Sequence, residues 1–167
     1  MVDVVVIGGG PAGLAAGIAA RLAGLGVVIV DRRHPPIDKA CGEGLMPAGV
    51  AALDRLGVVI PRDRSFSFRG IRYVEEMAGG TIEASARFAG QSGFGIRRTV
   101  LHEAMVRRAL DLGVAIRWGV AFDGLHPDGL HPDGVTIDGE PLCARWIVGA
   151  DGHESRVRRD LGIELVA

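Results

Sequence analysis

Val2 to Ile7, reading VDVVVI, runs without a break into Gly8-Gly9-Gly10-Pro11-Ala12-Gly13. This junction limits the possible folds more than any other feature of the chain. A β-branched and nearly all-apolar run is how a central parallel strand, buried on both faces, reads. Pro11 to Ala23, rich in alanine and leucine, follows as a helix. Pro11 suits its first turn, where the missing N–H would be unpaired in any case. Gly24 and Gly26 end the helix, Val27 to Val30 forms a second buried strand, and Asp31 closes it. Strand, glycine turn, helix and strand in that order predict an α/β fold with a parallel sheet.

The glycines have the spacing GxGxxG, and the chemistry follows from their places. Gly8 permits a tight turn. Gly10 has no side chain, so a pyrophosphate can approach the backbone. Gly13 lets the helix pack against the strand. Pro11 and Ala12 belong to the same loop, at a helix N-terminus whose free N–H groups and positive dipole end attract phosphate. A carboxylate at Asp31 is placed to accept hydrogen bonds from adenosine ribose hydroxyls. Arg32 and Arg33 stand where arginine can hold a 2′-phosphate, but Asp31 would repel that group. A free ribose is therefore expected, with Arg32 and Arg33 flanking the adenine or facing solvent. These residues point to a dinucleotide and leave open which one.

The bulk numbers exclude several alternatives. A length of 167 residues fits one domain, here taken as 1–167. A formal net charge of −1, with arginine pairs scattered along the chain, gives no basic face for nucleic acid. Two cysteines, Cys41 and Cys143, make neither a disulfide framework nor a metal spacing, which suits a reducing cytoplasm. The apolar N-terminal region is interrupted by its glycines and Arg21 before it reaches the ~20 residues a membrane span needs.

Further along, residues 32–44 read as a loop and Ala48 to Leu56 as a helix. Phe66 to Met77 and Thr81 to Phe88 read as an antiparallel pair joined at Gly79-Gly80, within a small β insertion at about 65–95. Thr99 to Leu112 reads as a helix with Leu101, Met105 and Leu112 on one side. Val114 to Trp118 and Arg145 to Val148 read as strands, and Ser155 to Asp160 as a short helix. GLHPD occurs at 124–128 and again at 129–133, as in a lengthened hairpin loop. His126 and His131 lack the further ligands of a metal site. His102-Glu103 begins like HExxH, but residue 106 is valine, so no zinc-protease motif is present.

Three later segments say which dinucleotide. Lys39-Ala40-Cys41-Gly42-Glu43-Gly44-Leu45 resembles the CGEGL segment of geranylgeranyl reductases. More widely it resembles the FAD-dependent oxidoreductase superfamily that includes aromatic-ring hydroxylases and flavin-dependent halogenases. Arg98-Thr99-Val100-Leu101 resembles that superfamily's RxxL motif at a helix start. Asp151-Gly152 with Ser155 and Arg158 resembles its DGxxSxxR motif. The resemblance implies a Rossmann-like FAD/NAD(P)-binding fold with FAD as cofactor and NAD(P)H as an electron donor. It places Cys41, Gly42, Gly44, Arg98, Asp151 and Gly152 near the cofactor, and it identifies no catalytic acid or base.

Superfamily members are far longer and carry a second GD motif later in the chain. The expectation is an N-terminal FAD-binding portion, with the substrate domain lying outside it. The partners expected are a small-molecule or lipid-like substrate and either self-association or a partner chain. The rival readings are a non-catalytic dinucleotide-binding module that needs a partner chain and an NAD(P)-binding enzyme.

Overall fold

Val4 and Val6 face one side of the first strand, Val5 and Ile7 face the other, and all four are buried. A strand whose successive side chains alternate between faces can be apolar throughout only if both faces are covered. The computed structural model describes residues 2–125 and 134–163 and shows what covers them. Strand β1 (Val2–Ile7) leads into helix α1 (Pro11–Leu22) and strand β2 (Val27–Asp31). Strand β3 (Gly44–Leu45), helix α2 (Pro47–Arg55), and strands β4 (Ser65–Phe68), β5 (Gly70–Met77), β6 (Gly80–Arg87) and β7 (Gly93–Ile96) follow. Helix α3 (Arg98–Asp111), strands β8 (Ala115–Trp118), β9 (Phe122–Leu125), β10 (Gly134–Ile137) and β11 (Glu140–Gly149), and helix α4 (Arg156–Asp160) complete the described order.

The main sheet has the order β8-β2-β1-β11-β10-β9. Its first four strands are parallel to one another, and β10 and β9 continue it antiparallel. On one face Val4, Val6, Val27 and Ile29 pack with Leu14 and Ile18 of α1 and Met105 and Ala109 of α3. On the other, Val5, Ile7, Val28 and Val30 pack with Val135, Ile137, Ala144 and Val157. Leu14 and Ile18 are fully buried, which stabilises the fold by about 1.5–3 kcal/mol for each. Helix α1 lies so close to β2 that a Cβ on Gly17 would stand 2.6 Å from Cδ1 of Ile29.

The single strand expected over Phe66–Met77 divides at Arg69. Strand β4 joins β3 and β7 in a three-stranded sheet, while β5 and β6 form a separate hairpin. Gly70 makes the crossing possible, because a Cβ there would press into the Ala86 carbonyl group, 3.2 Å from its carbon. The register of β5 and β6 puts Ile71, Tyr73, Glu75, Met77, Ile82, Ala84 and Ala86 on one face. Tyr73, Met77 and Ile82 are exposed there.

Helix α3 also differs from expectation. Its buried positions are Val100, His102, Met105 and Ala109, whereas Leu101 and Leu112 are only partly buried. The helix is turned so that the stripe Arg98, His102, Met105 and Ala109, spaced as one helical face, meets the sheet and the glycine turn. Strands β3 and β7 lie where the sequence predicts no strand, whereas β9 and β10 pair antiparallel on either side of the GLHPD repeat, as the arms of a hairpin would. His126 and His131 lie outside the described residues.

Among the described residues no helix is long and apolar enough to cross a membrane.

Candidate functional site

Parallel pairing brings the carboxyl ends of β1, β2, β8 and β11 to one edge, where Ile7 pairs with Val30 and Gly149, and Asp31 with Trp118. That edge is where ligands bind in open parallel sheets. The glycine turn, Asp31 and the Asp151-Gly152 segment all leave the sheet there.

The glycines of the turn serve different ends. Gly8 has φ +111°, and a Cβ there would stand 2.6 Å from the carbonyl carbon of Ala150. A Cβ on Gly9 would meet the Trp118 ring, 2.7 Å from Cη2, and one on Gly13 would overlap Gly8, 3.0 Å from its carbonyl carbon and nearer its oxygen. These three positions are closed by the protein itself. Gly10 is different: its φ is −74°, and the nearest atom to a Cβ there is Nη2 of Arg98, at 3.8 Å. Gly10 therefore borders open space. Helix α1 begins there with Gly10 as N-cap, no side-chain cap and Pro11 next, so the free N–H groups of the first turn, that of Ala12 among them, face the same opening.

Asp31 turns inward. Its Oδ2 accepts the N–H of Gly9 at 2.7 Å and its Oδ1 accepts the N–H of Arg33 at 2.8 Å. A carboxylate has about four acceptor positions, so two remain for a ligand. The neighbouring Arg32 is exposed.

The Cys41–Leu45 segment reaches the start of α3. Glu43, at φ +50°, accepts the N–H of Ile96 through its backbone carbonyl at 2.9 Å. Its Oε1 accepts the N–H of Arg98 at 3.3 Å. Glu43 thus caps a helix that has no side-chain cap of its own. Cys41, Gly42 and Gly44 are exposed, and a Cβ on Gly42 would meet nothing within 4 Å. The side chain of Arg98 reaches toward Gly10, and its Nε is buried with no hydrogen-bond partner among the described residues.

Asp151 is occupied by the protein. Its Oδ1 accepts the Ser155 hydroxyl at 2.5 Å, and its Oδ2 accepts the N–H groups of Arg156 at 2.6 Å and Val157 at 3.2 Å. Ser155 Oγ in turn accepts the N–H of Arg158 at 3.0 Å. Asp151 and Ser155 together cap α4, and Gly152, at φ +94°, makes the turn between. Lys39 Nζ would lie 3.3 Å from a Cβ on Gly152, so the loop after β2 passes over this segment.

Two contributors were not found from the sequence. Glu43 was legible only as part of CGEGL. His102 is buried with Nε2 2.8 Å from the carbonyl oxygen of Gly9, and the one signal for it was its place one helical turn after Arg98. Among the described residues no group of histidine, cysteine, aspartate and glutamate side chains could hold a metal.

Comparison with known proteins gives a consistent result. The chain is 38% identical over 167 residues to a menaquinone reductase of Mycolicibacterium smegmatis, covering 96% of this chain and 40% of that protein. It is 30% identical to a rifampicin monooxygenase of Streptomyces venezuelae, covering 98% of this chain and 34% of that protein. Among solved structures, the tetrameric form of 2-methyl-3-hydroxypyridine-5-carboxylic acid oxygenase superposes with a TM-score of 0.80 at 30% identity. The match covers 97% of this chain and 42% of that one. The chain thus spans about 40% of the length of the menaquinone reductase. The similarity extends across reductases and monooxygenases and is not specific to geranylgeranyl reductases. The family described as "FAD binding domain" matches residues 1–167, so the chain belongs to that family and its cofactor is FAD.

Proposed function

We propose that this chain is the FAD-holding portion of an oxidoreductase, with the FAD pyrophosphate seated over Gly10 and the first turn of α1. The observation that carries this reading is Arg98, whose buried Nε lacks a partner beside a glycine that borders open space. A buried cationic donor left unpaired is costly. A pyrophosphate over Gly10 would meet the same guanidinium at Nη2, the atom nearest Gly10, and guanidinium geometry suits phosphate oxygens.

The remaining residues fit the same placement. Asp31 keeps acceptor capacity for the adenosine ribose, with Arg32 at the rim. Cys41, Gly42 and Gly44 form an open loop beside Arg98. Gly152 sits where Lys39 crosses, while Asp151 acts by capping α4. When bound, FAD supplies the electron-transfer chemistry that side chains lack. The chain's own part is to bind and orient it.

For the whole protein we favour a reductase acting on a lipid-like quinone, with NAD(P)H as electron donor. The support is the 38% identity to the menaquinone reductase together with the CGEGL segment. Oxygenation is the second reading, favoured by the 30% identity to the pyridine-carboxylate oxygenase and the rifampicin monooxygenase. Self-association is proposed through the exposed face of β5 and β6 that carries Tyr73, Met77 and Ile82 around Glu75, and light scattering tests it: a monodisperse monomer counts against it.

The class of reaction is tested by reducing the FAD-loaded protein with NADPH or NADH under nitrogen, then adding menaquinone or oxygen. Faster reoxidation by menaquinone supports the reductase reading. Oxygen consumption that depends on an aromatic substrate, with no reaction toward menaquinone, overturns it in favour of oxygenation.

A further inference from the structure

His102 is a buried imidazole that none of the sequence motifs accounts for. It is 1% exposed, and its Nε2 lies 2.8 Å from the carbonyl oxygen of Gly9. A carbonyl oxygen can only accept, so Nε2 carries the proton. On the other side of the same residue, Asp31 Oδ2 accepts the Gly9 N–H at 2.7 Å. The two peptide planes that meet at Gly9 are therefore held by side chains from two separate elements, α3 and the end of β2. The Trp118 ring, centred 6.0 Å from the His102 ring, fills the place a Gly9 side chain would need. The turn cannot relax into that space.

In a trans peptide the C=O and N–H groups point in opposite directions. Holding the Gly9 carbonyl inward on His102 therefore aims the Gly10 N–H outward, toward the open side of the turn. The Gly10 N–H has no acceptor among the described residues.

We infer that His102 is a positioning residue for the cofactor: by fixing the Gly9 carbonyl it presents the Gly10 N–H to a pyrophosphate oxygen. This inference rests on the reading that the FAD pyrophosphate lies at Gly10. It gives α3 two tasks on one face, since Arg98 approaches the opening directly and His102, one helical turn later, sets the backbone donor beside it.

The test uses the full chain and two measurements. The first is the nitrogen NMR spectrum of the His102 ring in the wild-type protein. It is expected to show the Nε2–H tautomer with a coupling across the hydrogen bond to the Gly9 carbonyl carbon. The second compares binding of FAD, ADP and adenosine by wild type, His102→Leu and His102→Gln. Losing one oriented donor is expected to weaken FAD and ADP about tenfold in His102→Leu. Adenosine, which has no pyrophosphate, should keep its affinity. His102→Gln, whose side-chain amide can still donate, should recover most of the loss.

An Nδ1–H tautomer overturns the inference whether or not the variants fold. So does an equal loss for all three ligands, which marks a general packing defect, or a folded His102→Gln that binds no better than His102→Leu. Normal FAD binding by wild type and His102→Leu alike overturns this inference and leaves the cofactor placement standing. A wild-type protein that binds no FAD overturns both.

Discussion

Asp31 Oδ2 accepts the N–H of Gly9 at 2.7 Å, which ties the end of the second strand to the middle of the glycine turn. The carboxylate is thus part of the turn's structure before any ribose reaches it. In Asp31→Asn one of the two backbone donors now held, that of Gly9 or of Arg33, would face an amide N–H₂ group instead. A charge-assisted hydrogen bond contributes about 1.5–3 kcal/mol, so Asp31→Asn should destabilise the FAD-free protein by about that much. Urea denaturation without FAD measures it. An unchanged midpoint would mean that Asp31 acts on the ligand alone.

Gly13 and Gly10 should respond to alanine in opposite ways. A Cβ on Gly13 runs into the Gly8 backbone, which cannot move aside as a side-chain tip can, while a Cβ on Gly10 meets only Arg98 Nη2 at 3.8 Å. Gly13→Ala should therefore cost about 3 kcal/mol or more. Gly10→Ala should leave the FAD-free stability within about 0.5 kcal/mol of wild type. Denaturation of the two variants side by side distinguishes a structural glycine from one kept clear for a ligand.

How much of this was legible beforehand depends on how local the determinants are. Strands β1 and β2 and helix α1 were readable almost to the residue, because uninterrupted β-branched runs and their glycine and proline boundaries are written in adjacent residues. Strand β7, Gly93–Ile96, was not: two glycines in GFGI weaken any strand signal, and the strand exists because β3 and β4 pair on either side of it. The break between β4 and β5 depends on the distant Ala86 carbonyl behind Gly70. His102 reads as a polar residue until the fold brings the Gly9 carbonyl to it, and the capping tasks of Glu43 and Asp151 likewise require partners set by the fold.

Asp151 and Ser155 form one cap, joined by a 2.5 Å hydrogen bond, so their contributions should not add. Each alanine substitution alone is expected to cost about 0.5–2 kcal/mol, and the double variant less than the sum of the two. A double-mutant cycle in urea, with amide exchange at Arg156 and Val157 as the local readout, checks this. Strict additivity would mean that the two caps are independent.

Arg98 should show a conflict between stability and binding. Its buried, unpartnered Nε weakens the FAD-free protein, because a buried donor without an acceptor has lost its water. Arg98→Met is therefore expected to leave thermal stability unchanged or raised without FAD, and to weaken FAD binding at least about tenfold through loss of a charge-assisted contact. A loss of FAD-free stability together with unchanged FAD affinity would remove Arg98 from the site.

Whether FAD is held over Gly10 is read from a titration of FAD into wild type and Gly10→Val, followed by the visible flavin spectrum. Circular dichroism of the FAD-free proteins would confirm that both are folded. Wild type should develop a shifted flavin band that saturates at one FAD per chain, and Gly10→Val should stay folded and develop none. A folded Gly10→Val that binds FAD as tightly as wild type would mean that the cofactor does not lie over Gly10.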